Sequence, residues 1–576
     1  MGLVSVMCVL VGTVPAEMLY NGIELPKDWP PKLDERVVKP IRPPYLDSPP
    51  DVIPIDVGRQ LFVDDFLIER TTLKRTLHSA ELHPASPVLS PDKAWEKAGK
   101  WKDYGGSYAI PFSDGVWHDP RDKLFKMWYM GGLLYSTCYA TSKDGIHWHR
   151  PNLDVRPGTN IVHPGNRDSC TVWLDLDEND PKRRYKMFRF QKTPRRGLVL
   201  HYSEDGVHWG GEVAWAGKCH DRTTVFYNPF RKVWVCSIKA TLPPSPPYKM
   251  RVRRYNEGSD PVSALRWGGY GDPPLWLGAE RPDPHQPDRI VPSVVYNLDA
   301  VAYESVMLGL FSIHQAPADK KLGRPKQNRV FAGFSRDGFH WHRPYVKPLF
   351  GVSERKGDWN WGNVQSVGGC CLIVGDKLYF YHSGRAGTGR SGKHKGFWDA
   401  DASTGLAVLR RDGFASMDAG NEEATLTTRP VRFKGKHVFV NVDAGAGELR
   451  VELLDVKEQV IPEFSKAICE PIRADKTLQP VRWRGTDDVS GMAGKPVRLR
   501  FYLRSGRLYA FWASPDESGA SHGYVAAGGP GLAGPTDTVG ARPEVSESPV
   551  ERTRGGRFAS HPDRGRRRFV PVNSPQ

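Results

Sequence analysis

The sequence predicts an all-β protein, a five-bladed β-propeller followed by a β-sandwich domain. Three observations carry this expectation. A Ser-x-Asp-Gly-x-x-Trp segment recurs at Ser142–Trp148, Ser203–Trp209 and Ser335–Trp341, the first two 61 residues apart and the last two 132, close to two further repeats. Three sets of short apolar strand patterns accompany it, each counting five, which is the signature of a radial array of small sheets. Beyond the repeats, residues 426–512 hold alternating strand patterns joined by Gly-containing turns, as in an antiparallel sandwich.

Composition agrees. The chain has 576 residues with 58 Gly, 49 Pro and 18 Trp, and 11% of it is aromatic. That excludes collagen-like, coiled-coil and wholly disordered chains. No apolar run approaches the roughly 20 residues that span a bilayer, so no membrane span is expected. The net charge of +16 invites nucleic acid. The basic residues are scattered, however, and the one dense cluster is Arg564, Arg566, Arg567 and Arg568. A solvated mixed-sign surface is therefore expected, with no nucleic-acid partner. Eight Cys show no Cys-x-x-Cys or zinc spacing and read as small buried hydrophobes.

Residues 1–20 read as a signal peptide ending near Thr13–Ala16, without a positive n-region. On this reading the protein is secreted or periplasmic, and otherwise cytoplasmic. Residues 21–58 hold Pro30–Pro31, Pro43–Pro44 and Pro49–Pro50 and are expected to run extended. Residues 59–420 form the propeller and residues 514–576, rich in Gly, Pro, Ser and Arg, a largely disordered tail.

Within the propeller, the first strand set starts at Ser107, Thr171, Thr224, Ala300 and Val364. The second starts at Lys123, Arg184, Lys232, Ser305 and Lys377. The third set leads into the Asp-Gly turns, with degenerate copies at Ser259–Asp260 and Arg411–Gly413. Asp-Gly suits the positive φ of a tight turn, so these motifs read as structure, and the flanking His residues as turn residues rather than metal ligands.

These turns resemble those of the five-bladed propeller glycosidases, the superfamily of glycoside hydrolase families 32, 43, 68 and 130, over roughly residues 60–512. The sandwich after the propeller is similar to that of family 32. Arg167–Asp168 resembles that family's Arg-Asp-Pro motif, with Ser169 in the Pro position. The family's Trp-Met-Asn-Asp-Pro-Asn-Gly and Glu-Cys signatures are absent. The resemblance implies a carbohydrate ligand in a central funnel.

Candidate site residues follow from what precedes each inner strand. Asp103, Asp168, Asp221 and Asp299 stand there in four blades, with Glu304 as a reserve acid at the far end of its strand. Paired carboxylates are what glycoside hydrolysis needs, one to protonate the leaving oxygen and one to activate water or attack the anomeric carbon. Tyr104, Trp359 and Trp361 are candidate stacking faces, and His220, Arg222, Asn363, Gln365, His382 and Arg385 candidate polar contacts. Arg222 and Arg385 suit sugar hydroxyls, a carboxylate or a sulfate. The expected activity is hydrolysis of glycosidic bonds in an oligo- or polysaccharide. The alternatives are a non-catalytic carbohydrate-binding propeller and a phosphorolytic enzyme of the family 130 kind. No cofactor is read from the sequence, which leaves open a structural Ca²⁺ in the channel.

Overall fold

Five sheets stand around a common channel and two more face each other beside them. The computed structural model describes residues 17–33, 42–97, 106–165, 167–192, 196–241, 251–278, 294–316, 324, 327–387 and 401–540. The candidates Asp103 and Tyr104, the N-terminal 16 residues and the stretch after 540 lie outside them.

Blade one comprises Ala109–Asp119, Leu124–Gly131, Ser136–Ser142 and Ile161–His163 in antiparallel order. Blade two comprises Cys170–Leu174, Tyr185–Gln191, Gly197–Ser203 and Ala214–Trp215, and blade three Thr224–Asn228, Val233–Thr241, Arg251–Gly258 and Leu275–Leu277. Blade four is built on Val294–Glu304, Val306–Ala316 and Gln327–Ser335. Blade five runs from Asn363–Gln365 and Leu372–Val374 through Lys377–Arg385 to Ala402–Arg410, and Glu81–Leu82 from the other end of the chain adds its outer strand. That exchange closes the ring with backbone hydrogen bonds and leaves no bare edge there.

The Asp-Gly turns have the structural role expected of them. In each complete copy the Ser hydroxyl accepts from the Gly amide, as Ser142 does from Gly145 at 2.8 Å, and the Asp carboxylate accepts from the two following amides. The glycines have φ of +76°, +80° and +80°. Each turn is also held by a neighbouring blade: Tyr381 donates to the Gly145 carbonyl at 2.5 Å, Trp128 to Gly206 at 2.7 Å and Trp276 to Phe339 at 2.7 Å. A repeated local turn thereby becomes a repeated latch between blades.

The sandwich has a core of its own, including Phe62, Val440, Leu453, Trp483, Phe501 and Phe511. Its sheets are made from both ends of the chain. Ile68–Thr71 and Lys74–Leu77 pair with Ala424–Thr428 and Ala415–Ala419, and Gln60–Leu61 pairs with Gly506–Ser514. Strands placed by sequence in the propeller segment thus belong to the sandwich sheets, because their partners lie more than 300 residues away and leave no local pattern.

The tail expectation needs correction for residues 515–540. Tyr524–Val525 extends blade four by pairing with Tyr303 and Glu304. The Ala527 amide donates to the Cys371 carbonyl at 3.0 Å, and Asp537 is fully buried. Gly and Pro make this segment look unstructured, yet here they let the backbone lie close against strands it could not otherwise approach. Gly529 is such a place, since a Cβ there would sit 1.8 Å from the Ile373 carbonyl oxygen.

Candidate active site

The heads of blades two, three and four meet at one level of the channel. The Arg222 amide donates to Ser169 Oγ at 2.8 Å, and the Thr224 hydroxyl donates to the Leu298 carbonyl. Asp168, Asp221 and Arg222 precede their strands and are brought together there. Arg222 sits at φ +61°, a left-handed backbone that aims a long cationic side chain inward.

Asp168 is buried, and Lys192 Nζ stands 3.3 Å from its carboxylate. Burial and then the charge of Asp221 push its pKa above the ordinary aspartate value, against Lys192 and Arg222. Asp221 is ion-paired to Lys239. Burial alone would raise Asp221, but Lys239, Lys192 and Arg251 outweigh it and hold this carboxyl below the ordinary value. The two neighbouring carboxyls are thus shifted in opposite directions.

Asp299 lies deeper, at 3% exposure, and accepts from Ser366 Oγ at 2.6 Å, Asn297 Nδ2 at 2.8 Å and Ser113 Oγ at 3.1 Å. Burial raises its pKa against the opposing charges of Arg222 and Arg253. It lies inside the strand Val294–Glu304 rather than before it, within electrostatic reach of Arg222 and Arg253. One carboxylate with two hydroxyls and an amide is a poor cage for a Ca²⁺ ion.

Arg222 is fully buried, its Cζ 4.0 Å from the centre of the Phe112 ring and 5.3 Å from that of Tyr296. Arg385 Cζ lies 5.2 Å from the same Phe112 ring. Arg253 donates to the Arg222 carbonyl at 2.5 Å, and burial beside Arg222 lowers its pKa to about 9. His220 is half-buried against Tyr270, with ring centres 4.7 Å apart, and its Nδ1 is 3.2 Å from Arg196. Gln365 donates to Asn363 at 3.1 Å, and both are buried.

Three further candidates are placed differently from expectation. Glu304 is joined to Arg411 at 3.0 Å and accepts from Ser521 at 2.7 Å and from the Arg59 amide at 3.1 Å. This cluster ties the far end of blade four to the chain segments around it, because a strand of eleven residues carries its two ends to opposite ends of the channel. Trp361 is 2% exposed under Arg324 and offers no free face. His382 is 1% exposed between Phe350 and Trp359, and burial lowers its pKa to about 4, so it is a neutral packed ring. Trp359 lies over Gly384 and Gly405, where only glycine leaves room for the indole, and remains half-buried.

Sequence reasoning missed Asp114, Phe112, Arg253 and Tyr296. Asp114 forms a buried two-pronged pair with Arg167 at 2.5 and 2.9 Å. Tyr296 sits on a bulge where Val294–Glu304 slips register against its partner, so strand alternation would have misplaced it. Its hydroxyl feels Arg222, Arg385, Asp221 and Asp168 together.

No protein-family profile matches the chain, and no curated protein does. Among solved structures, an N-acetylgalactosamine deacetylase from F. plautii in complex with blood group B trisaccharide is similar at 13% identity over 60% of this chain and 96% of that one, with a TM-score of 0.37. A glycosyl hydrolase from Bacteroides ovatus is similar at 13% identity over 60% and 97%, with a TM-score of 0.36. A fructofuranosidase from Schwanniomyces occidentalis complexed with fructosylnystose is similar at 10% identity over 76% and 98%, with a TM-score of 0.33.

Proposed function

We propose that the protein is a glycosidase that hydrolyses an oligo- or polysaccharide at the head of the propeller channel. The observation that carries this reading is the pair Asp168 and Asp221 on neighbouring blades, close enough to act on each other and shifted in opposite directions by their lysine partners and burial. Such a pair divides the labour of glycoside hydrolysis. Asp168 is the general acid that protonates the leaving oxygen. Asp221, kept ionised by Lys239, is the base or nucleophile at the anomeric carbon. Tyr296 and Arg222 flank both, and Asp299 lies within electrostatic reach of Arg222.

The test is a panel of plant and algal polysaccharides incubated with the purified full chain, with reducing ends measured. Release of sugar by the wild type and its loss in both Asp168→Asn and Asp221→Asn is expected. Full activity in both variants would overturn the assignment.

A further inference from the structure

The cations at the head of the channel exceed what is needed to balance its acids. Asp114 is taken by Arg167, Asp168 by Lys192 and Asp221 by Lys239. Among the described residues, Asp299 and a share of Asp168 are left to balance Arg222, Arg253 and Arg385. Arg251 adds a further guanidinium over the Tyr296 ring at 5.4 Å.

These arginines also have donors to spare. Nε and Nη2 of Arg222, Nε of Arg253 and Nε of Arg385 are buried with no hydrogen-bond acceptor among the described residues. Leaving charged donors buried and unmatched is costly, and a water, an ion or a ligand group that completes the set relieves that cost. The walls are aromatic: Phe112 lies against both Arg222 and Arg385, Tyr108 against Arg385 and Tyr296 against Arg222. Positive charge from blades three and five thus converges on rings from blades one and four, beside the two carboxyls that do the chemistry.

We propose that this arginine cluster receives the anionic substituent of an acidic sugar, a uronate carboxylate or a sulfate ester, so that the substrate is an acidic glycan. The inference rests on the reading of Asp168 and Asp221 as a glycosidase pair. Guanidinium forks match oxyanion groups with paired, charge-assisted hydrogen bonds, which hydroxyls of a neutral sugar cannot equal. The same excess of positive charge draws a polyanionic chain toward the channel mouth.

The experiment compares four probes by calorimetry on the full chain: oligogalacturonates, the same oligosaccharides after carboxyl reduction, sulfated galacto-oligosaccharides, and inorganic phosphate. Hydrolysis of each glycan is followed in parallel. An acidic glycan is expected to bind the wild type at least about tenfold more tightly than its neutral counterpart. Arg385→Gln, checked for a native melting curve, is expected to erase that preference. A response confined to the uronate or to the sulfated arm assigns the group. Equal binding of acidic and neutral forms, binding of none of the glycans, or binding of phosphate alone would each overturn the proposal. Hydrolysis of the carboxyl-reduced oligosaccharide at the rate of the acidic one sinks the anion site and leaves the glycosidase. Acidic-glycan binding without hydrolysis keeps the anion site and sinks the glycosidase.

Discussion

The charge of Asp221 acts on Asp168 across the seam between blades two and three, and the two carboxyls are displaced in opposite directions. The proposed mechanism needs Asp221 ionised and Asp168 protonated, which fixes the signs of a bell-shaped profile. Activity rises as pH climbs through the lowered pKa of Asp221 and falls as pH climbs through the raised pKa of Asp168. Asp168→Asn is expected to lower kcat by roughly 10²–10⁴-fold on natural glycans and to remove the alkaline limb. Aryl glycosides, whose leaving group needs no proton, should lose much less. The measurement is kcat against pH on both substrate types, and equal losses on both would reverse the acid assignment.

Lys192 tunes this pair from the rim. Its ammonium stands 3.3 Å from Asp168 and lowers both carboxyls. In Lys192→Met both are expected to titrate at higher pH, so both limbs of the profile move upward together. Because Lys192 is exposed, raising the salt should shift the wild type in the same direction. An unmoved profile in the variant would show that Lys192 does not act on the pair.

How far the sequence led depended on the range of the interactions. The Asp-Gly turns are local, so three complete copies and two worn ones were enough to count blades. Asp168 and Asp221 were legible because each stands just before a short strand, where the ring of blades makes sequence position equivalent to place. Asp299 sits within an eleven-residue strand, and only its pairing shows how deep it lies. Arg253 and Phe112 reach the site from positions with no counterpart in other blades. Trp361 looked like a sugar platform because aromatic loops often are, but Arg324 covers it. The N-terminal strands of the sandwich were out of reach for the same reason as the fifth blade's outer strand: their partners are at the other end of the chain.

The latch between blades one and two predicts a stability defect. A Cβ at Gly206 would fall 2.5 Å from Trp128 Cζ2, at a φ of +80° that L residues resist. Gly206→Ala is expected to cost about 1–3 kcal/mol from backbone strain alone, with the clash added. Trp128→Phe leaves the Gly206 carbonyl without its 2.7 Å donor and adds a cavity, so it too lowers the melting temperature. Thermal denaturation by circular dichroism checks both. A Gly206→Ala protein as stable as the wild type would show that the turn tolerates a side chain.

Glu304 separates a structural acid from a catalytic one. Arg411 bridges Glu304 at 3.0 Å and Asp537 at 2.8 Å, while Arg59 holds Asp412 at 2.8 Å, all buried. Arg411→Met leaves the buried Asp537 without its ion-pair partner and Glu304 with Arg59 alone, at 3.5 Å, a change that costs about 3–5 kcal/mol. Glu304→Gln costs less, about 1–3 kcal/mol. Burial already raises the pKa of Glu304 against its arginines, so the folded protein resists its charge. Gln also keeps an acceptor for Ser521 and the Arg59 amide. Because the cluster lies at the end of blade four away from Asp299, kcat/KM per folded molecule should be unchanged in both variants. Melting temperature and kcat/KM measured on the same preparations decide it. A Glu304→Gln protein that melts like the wild type but has lost turnover would return Glu304 to the catalytic set.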